Sequence, residues 1–312
     1  MNLGLGLPQR GGVNLREDIP EVARTAEEAG FSSLWVYERL LFPTRPASGT
    51  QVMPGLPSFE YWQRSVSADP LAVLAVAAMA TESIRLGSSV LVAALHSPVQ
   101  LAKSLATIDQ LSGGGRLLAG LGEGWMVDEL RAVDSRPSER GARLDETLDV
   151  LAGAWGPDPV SYQGSHVLLE EVLLQPKPIS PIPVLLGGGS TEAALERIAR
   201  RADGWLPVGI PPAAAGRTWR YILEKAAGHG RETRAMTMIY RADVDLTDGP
   251  ASPGRRPFTG DIAQVLDDVL ACARAGVDEL IIDLQIQDRF VGTKAMLDTA
   301  WNIKEKAAAG GI

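Results

Sequence analysis

Short runs rich in β-forming residues alternate with stretches whose apolar positions recur at helical spacing, from one end of the chain to the other. That alternation indicates parallel α/β architecture, because a helix must return the chain before the next parallel strand can begin. Asn2–Leu7 reads as the first strand. Asp18 is expected to cap a helix with Pro20 in its first turn, ending at Ala29-Gly30. Ser33–Val36 is the second strand and Ile84–Leu91 the third. Helix Pro98–Leu111 follows, with Leu101, Leu105 and Ile108 on one face. Arg116–Gly120 and Pro183–Leu186 are the fourth and fifth strands, and a helix over Thr191–Ala202 turns Leu195, Ile198, Ala199 and Ala202 inward. Gly204–Leu206, Thr237–Val244 and Glu279–Asp283 complete the set.

Eight strands, most followed by a helical pattern, predict an α/β fold of the (β/α)8 TIM barrel type, which typically takes about 250 residues. The surplus sits in two Pro/Gly-rich insertions, Leu40–Asp69 after strand two and Ala154–Ser180 between strands four and five. Insertions this long inside a compact domain read as lids. No tandem repeat, low-complexity tract or block of like charge interrupts the pattern, so residues 1–312 read as one domain. A dinucleotide fold would need G-x-G-x-x-G at the first strand-to-helix turn. Here the first strand ends Leu7-Pro8-Gln9, and the glycines after strand four are spaced G-x-G-x-G, so that rival fails.

Composition narrows the partners. Hydrophobic residues make up 45% of the 312 and charged residues 22%, enough apolar side chain for a large core. The net charge of −8 argues against a nucleic-acid partner, which would draw on a basic surface. Cys272 is the single cysteine, which fits a reducing cytoplasm, and Met1–Arg10 lacks the basic-then-apolar pattern of a signal peptide. The most apolar run, Leu71–Ala80, is about half of what a bilayer span needs, so no membrane partner is expected. A helix apolar on every side is buried on every side. One face of this one should lie on the barrel and the opposite face on another subunit, which predicts a homodimer. Burial under the chain's own loops is the alternative.

Candidate chemistry is confined to the carboxyl ends of the strands, where barrel enzymes keep their sites. Strand five ends in Gly187-Gly188-Gly189-Ser190, opening the next helix. Successive glycines let backbone N–H groups converge and a helix N-terminus adds partial positive charge, so the turn suits a phosphate; a plain turn with Ser190 as cap is the other reading. Strand four ends in Gly120-Leu-Gly122-Glu-Gly124-Trp125. Two glycine-rich mouths on one rim point to an organic cofactor carrying a phosphate, with a small molecule as substrate. Glu38-Arg39 is either a salt-bridged strand end or a place where Arg39 holds an anionic group. His96, just past strand three, is a candidate proton donor or a capping residue. Glu123 is an acid or simply a turn residue. Tyr37, Trp125, Asp283 and Gln285 also fall at strand ends. No metal constellation is expected, since His-x-His, H-E-x-x-H and cysteine pairs are absent. A nucleophile elbow is absent too, and Cys272 shares a helix face with Val265 and Val269, which reads as core. Few catalytic groups beside a phosphate site favour a cofactor that does the hard chemistry.

At these motifs the chain resembles the luciferase-like monooxygenase superfamily, especially its coenzyme F420-dependent oxidoreductases. The matching pieces run in family order over nearly the whole length. They are Ala29 to Val36, Leu86-Gly-Ser-Ser-Val90, Pro98 to Lys103, Asp109 to Arg116, Gly120 to Trp125, Gln175 to Pro178, Gly187 to Ser190, Asp203-Gly-Trp205 and Ala275 to Asp278. The resemblance implies a cofactor ring resting on Ser88, Ser89 and Val90, with a non-prolyl cis peptide at Ser89–Val90. It implies a cofactor phosphate on Gly187, Gly188, Gly189 and Ser190, and hydride passed through the deazaflavin C5 to a substrate under the Leu40–Asp69 lid.

One departure bears on the reaction. Many F420-dependent relatives carry Ser-Asp-His after strand two, where this chain has Tyr37-Glu38-Arg39; the acidic residue some use after strand four is matched by Glu123. Arginine stays protonated and cannot take a proton from an alcohol, so a reductase is favoured over an alcohol dehydrogenase. Arg39 would then bind charge, while Glu123, His96, Glu38 or a water delivers the proton. An FMN-dependent, oxygen-using two-component monooxygenase is the alternative reading, and a catalytically dead flavin-binding barrel is a third.

Overall fold

Eight parallel strands close on themselves in the computed structural model, which describes residues 1–10, 13–48, 50, 67–189, 191–285 and 292–312. The staves are β1 (Asn2–Gly6), β2 (Ser33–Val36), β3 (Arg85–Ser88), β5 (Leu117–Gly122), β8 (Val184–Gly187), β9 (Gly204–Leu206), β10 (Thr237–Asp243) and β13 (Glu279–Asp283). Every neighbouring pair is parallel, and β1 pairs with β13. The fold is a (β/α)8 TIM barrel. The stretch expected as one third strand is interrupted. It stops at Ser88 and resumes as β4 (Leu91–Val92) against Leu121 and Gly122, and the intervening Ser89–Val90 peptide is cis.

Two layers of apolar side chains hold the barrel. Its interior is filled by Trp35, Leu118, Leu185, Leu206, Ile239 and Ile281, all nearly inaccessible. Glycine makes this possible, because a Cβ on Gly87 would come within 2.7 Å of the Trp35 ring. The larger outer layer lies between the staves and their helices. In α1 (Leu15–Glu28) the buried residues are Ile19, Val22, Ala23 and Ala26, at helical spacing. This helix begins earlier than expected. Asn14 is the N-cap, Asp18 lies in the first turn with its carboxylate accepting from the Asn14 N–H at 2.8 Å, and Pro20 falls inside the helix. A carboxylate reaching back to the cap N–H and one reaching forward to the first-turn N–H groups read alike in the sequence, so the boundary was placed too late.

The helices α2 (Pro70–Ala80), α3 (Pro98–Leu111), α4 (Val127–Ala132) and α5 (Arg140–Trp155) follow. Among the described residues no helix is long and apolar enough to cross a membrane. Val73, Leu74, Ala77 and Ala78 of α2 pack on the core, while Ala72, Val76 and Met79 remain exposed along its opposite face. The second insertion forms an antiparallel hairpin, β6 (Val160–Gln163) with β7 (Leu168–Val172). It is tied to α5 through Glu146 and to the C-terminal end of α3, where Asp109 Oδ2 accepts from the Ile179 N–H at 2.7 Å. That end of α3 lies at the foot of the barrel. The expected lid is therefore a brace, held by hydrogen bonds to α5 and to the foot of the barrel. The remaining helices are α6 (Glu192–Arg201), α7 (Pro212–Gly228), α8 (Ile262–Arg274) and α9 (Thr293–Ala309), with a small pair, β11 (Asp245–Leu246) and β12 (Thr259–Gly260). Cys272 packs in the core with Val265 and Val269, as expected.

One foot-of-barrel turn has a pH signature. Glu27 accepts from the backbone N–H groups of Glu82, Ser83 and Ile84 and from the Ser83 hydroxyl. Partial burial raises its pKa, but these donors outweigh it and bring the carboxyl down to about 2. A folded-state pKa below the unfolded one stabilises the fold above pH ~4.5, and the gain is lost as pH falls through the folded value. Because the group is largely solvent-screened, Glu27→Gln should cost only about 1–2 kcal/mol at neutral pH. Urea melts across pH should show the difference from wild type closing between about pH 4.5 and 2.

Candidate active site

The upper ends of the staves divide the mouth into two unlike walls. One wall is glycine. Val90 lies in a seat that Gly122 and Gly187 leave open, since a Cβ on either would come within 2.7 Å and 2.9 Å of its methyl groups. The third stave is thereby brought against the glycine run that ends β8. Gly188 and Gly189 have φ of +100° and +106°, a backbone region that favours glycine, and the space where a Gly188 side chain would project is open. The Trp205 indole donates to the Gly188 carbonyl at 2.8 Å, pinning the turn. The helix α6 starts immediately afterwards, capped by Thr191 through the Ala194 N–H. Ser190 lies outside the described residues. An oxyanion can enter beside Gly188 without displacing a side chain, so the turn fits a phosphate.

The other wall is polar and is centred on Arg241 of β10. Its Nε donates to Asp243 at 3.0 Å, Nη1 to the Ser89 carbonyl at 2.7 Å, and Nη2 pairs with Asp283 at 2.8 Å. The guanidinium lies over the Tyr37 ring, 5.0 Å from its centroid. Burial pushes the Asp243 carboxyl up, Arg241 pulls it down, and the neighbouring Asp283 pushes it up again. Asp283 also accepts from the Gln285 N–H at 3.0 Å, and Gln9 bonds the Tyr37 N–H and carbonyl at 2.9 and 2.6 Å. Arg241 and Asp243 were missed by sequence reasoning. Their signal was available: two charged residues, two apart, on the same strand face as the core residue Ile239.

At the rim, Glu38 and His96 meet. Glu38 Oε1 lies 2.8 Å from His96 Nε2, and Oε2 accepts from the Val92 N–H at 2.5 Å. The two sequence candidates thus form one pair. Arg39 goes elsewhere. It donates to Glu129 at 2.6 Å and lies over the Trp125 ring at 4.8 Å, deep in the protein. Burial lowers the Arg39 pKa and raises that of Glu129, while each partner's charge pulls the other way. Glu129, in the first turn of α4, had no sequence signal, because nothing in the spacing links position 129 to 39. It also accepts from the Leu40 N–H, and Asp128 accepts from the Ala47 N–H, so α4 holds the first insertion at its start. Residues 51–66 of the first insertion, with Phe59, Tyr61 and Trp62, lie outside the described residues.

Glu123, expected as an acid in the mouth, turns to the outer side. It pairs with Arg197 of α6 at 2.6 Å and with Arg140 of α5 at 3.5 Å, while Arg197 also grips Asp145 at 2.7 Å. Held between two guanidiniums, Glu123 ties the end of β5 to α5 and α6. Among the described residues no cluster of His, Cys, Asp and Glu could hold a metal ion.

Comparison with known proteins is consistent with this geometry. The sequence profile described as luciferase-like monooxygenase matches residues 4–252. An uncharacterised protein of Mycobacterium tuberculosis (strain ATCC 25618 / H37Rv), Rv0953c, is 37% identical over 190 residues, 59% of this chain and 65% of that protein. An F420-dependent glucose-6-phosphate dehydrogenase of Amycolatopsis mediterranei (strain U-32) is 30% identical over 61% of this chain and 52% of that one. An FMNH(2)-dependent dimethylsulfone monooxygenase of Pseudomonas putida is 32% identical over 50% and 43%. The chain thus spans less than two thirds of the length of these relatives. The crystal structure of monooxygenase RslO1 from Streptomyces bottropensis shares the fold, with a TM-score of 0.76 at 20% identity over 99% of this chain and 98% of that one.

Proposed function

Since the chain belongs to the luciferase-like monooxygenase family, we propose that it is an oxidoreductase using a bound deazaflavin, coenzyme F420, to reduce a small organic substrate. The observation that carries this reading is the open glycine turn at the end of β8, lying against Val90. In this reading Gly187, Gly188, Gly189 and Ser190 hold the phosphate, and Ser88, Ser89 and Val90 support the ring from below. When bound, the deazaflavin supplies the hydride through its C5 carbon. The chain's own residues supply the rest. Arg241 fixes the Ser89 carbonyl, the apolar floor keeps water from the ring, and Glu38 and His96, whose Oε1 and Nε2 lie 2.8 Å apart, are the groups placed to pass a proton to the substrate. The relative from Amycolatopsis mediterranei supports F420. That from Pseudomonas putida supports the second reading, a monooxygenase using reduced FMN. Titrating the purified protein with each cofactor separates them: saturable F420 binding is expected, and tight FMN binding without F420 binding defeats the first reading.

A homodimer is part of the proposal. The exposed Val76 and Met79 stripe on α2 is apolar surface that a second copy would cover by the same stripe about a twofold axis. Sedimentation of the wild type should give a dimer, and Val76→Lys with Met79→Lys should give a folded monomer. A wild type that sediments as a monomer ends this part. The charge balance and lone buried Cys272 fit a cytoplasmic enzyme acting on a small molecule rather than on nucleic acid.

A further inference from the structure

The way the mouth disposes of its positive charge bears on which substrates can enter, granted the oxidoreductase reading above. A guanidinium captures an anion through its planar fork or, more weakly, stacks through its face. Arg39 gives its edge to Glu129 and its face to Trp125. Arg241 gives three donors to Asp243, Asp283 and the Ser89 carbonyl, and its face to Tyr37. Arg10 donates to the Gln285 carbonyl. At the rim the imidazole of His96 is held by Glu38. Among the described residues the cations of the mouth therefore have partners built in, and an anionic substrate would approach the carboxylates of Glu38 and Asp283.

We infer that this site takes substrates whose reacting half carries no anionic group, such as uncharged carbonyl or unsaturated compounds, and discriminates against carboxylates and phosphate esters. Arg39, held by Glu129 and lying over Trp125, ties the end of β2 to α4 and the start of the first insertion. Arg241 offsets only one of the two acids it serves, so an anion brought near Asp283 meets a net negative charge and binds about tenfold more weakly.

The test uses the protein loaded with whichever cofactor the titration identifies. Failure to bind either cofactor strikes the reading above and is seen before this test begins. Wild type titrated with inorganic phosphate and with benzoate, followed by tryptophan fluorescence at low salt, should show no saturable binding below about 1 mM. Saturable binding tighter than that overturns the inference.

Discussion

Arg241→Met should be the most damaging single change at the mouth, costing about 3–5 kcal/mol of stability and abolishing cofactor binding. Breaking a buried pair leaves an uncompensated charge, and here one guanidinium serves two carboxylates that are 5% and 3% exposed. The same change releases the Ser89 carbonyl, and with it the surface assigned to the ring. The pH dependence has a definite sign. Without the cation the buried Asp243 carboxyl is pushed further up, so the folded state binds more protons than the unfolded one and stability falls as pH rises. Urea melts of R241M should therefore approach wild type near pH 4 and diverge toward pH 7. Arg241→Lys should recover part of the stability but little of the binding, because a point charge cannot reach three acceptors at once. An R241M protein that binds cofactor like wild type would remove Arg241 from the site.

Gly120→Ala should cost about 3 kcal/mol or more, from a single added methyl. That methyl would overlap the backbone oxygen of Ser88 and come within 2.7 Å of Leu206 Cδ1. Overpacking against a flexible side chain can relax, but here the obstacle is the neighbouring stave, held by reciprocal bonds between Ser88 Oγ and the Gly120 N–H and carbonyl at 3.0 and 2.9 Å. Gly188→Ala is the informative control. It meets open space and bears only the left-handed backbone, about 1–2 kcal/mol, while placing a methyl where the phosphate is assigned. G120A should lose stability and G188A should lose affinity. Thermal melts alongside cofactor titration check both, and a G120A protein as stable as wild type would refute the close approach.

The elements were largely legible because their signals are local. Every expected stave is present, since β-forming runs between glycine and helical periodicity depend on near neighbours alone. The glycine turn at the end of β8 was legible for the same reason, as were the Cys272 face and the apolar all-round α2. The start of α1 was misplaced because Asp18 can cap in either direction. The hairpin of the second insertion was misread as a lid because composition reports that a loop is long and says nothing of which end of the barrel it packs on.

Sequence by itself determined the (β/α)8 architecture, the strand ends on which chemistry can stand and the family likeness, because periodicity and short motifs are properties of adjacent residues. Tertiary structure decided the pairings. It joined Glu38 to His96, spent Arg39 on Glu129 ninety positions away, turned Glu123 outward to Arg197, and made Arg241 the centre of the polar wall. Charge pairing depends on which side chains burial forces together, and closing the barrel sets those neighbours irrespective of their separation along the chain.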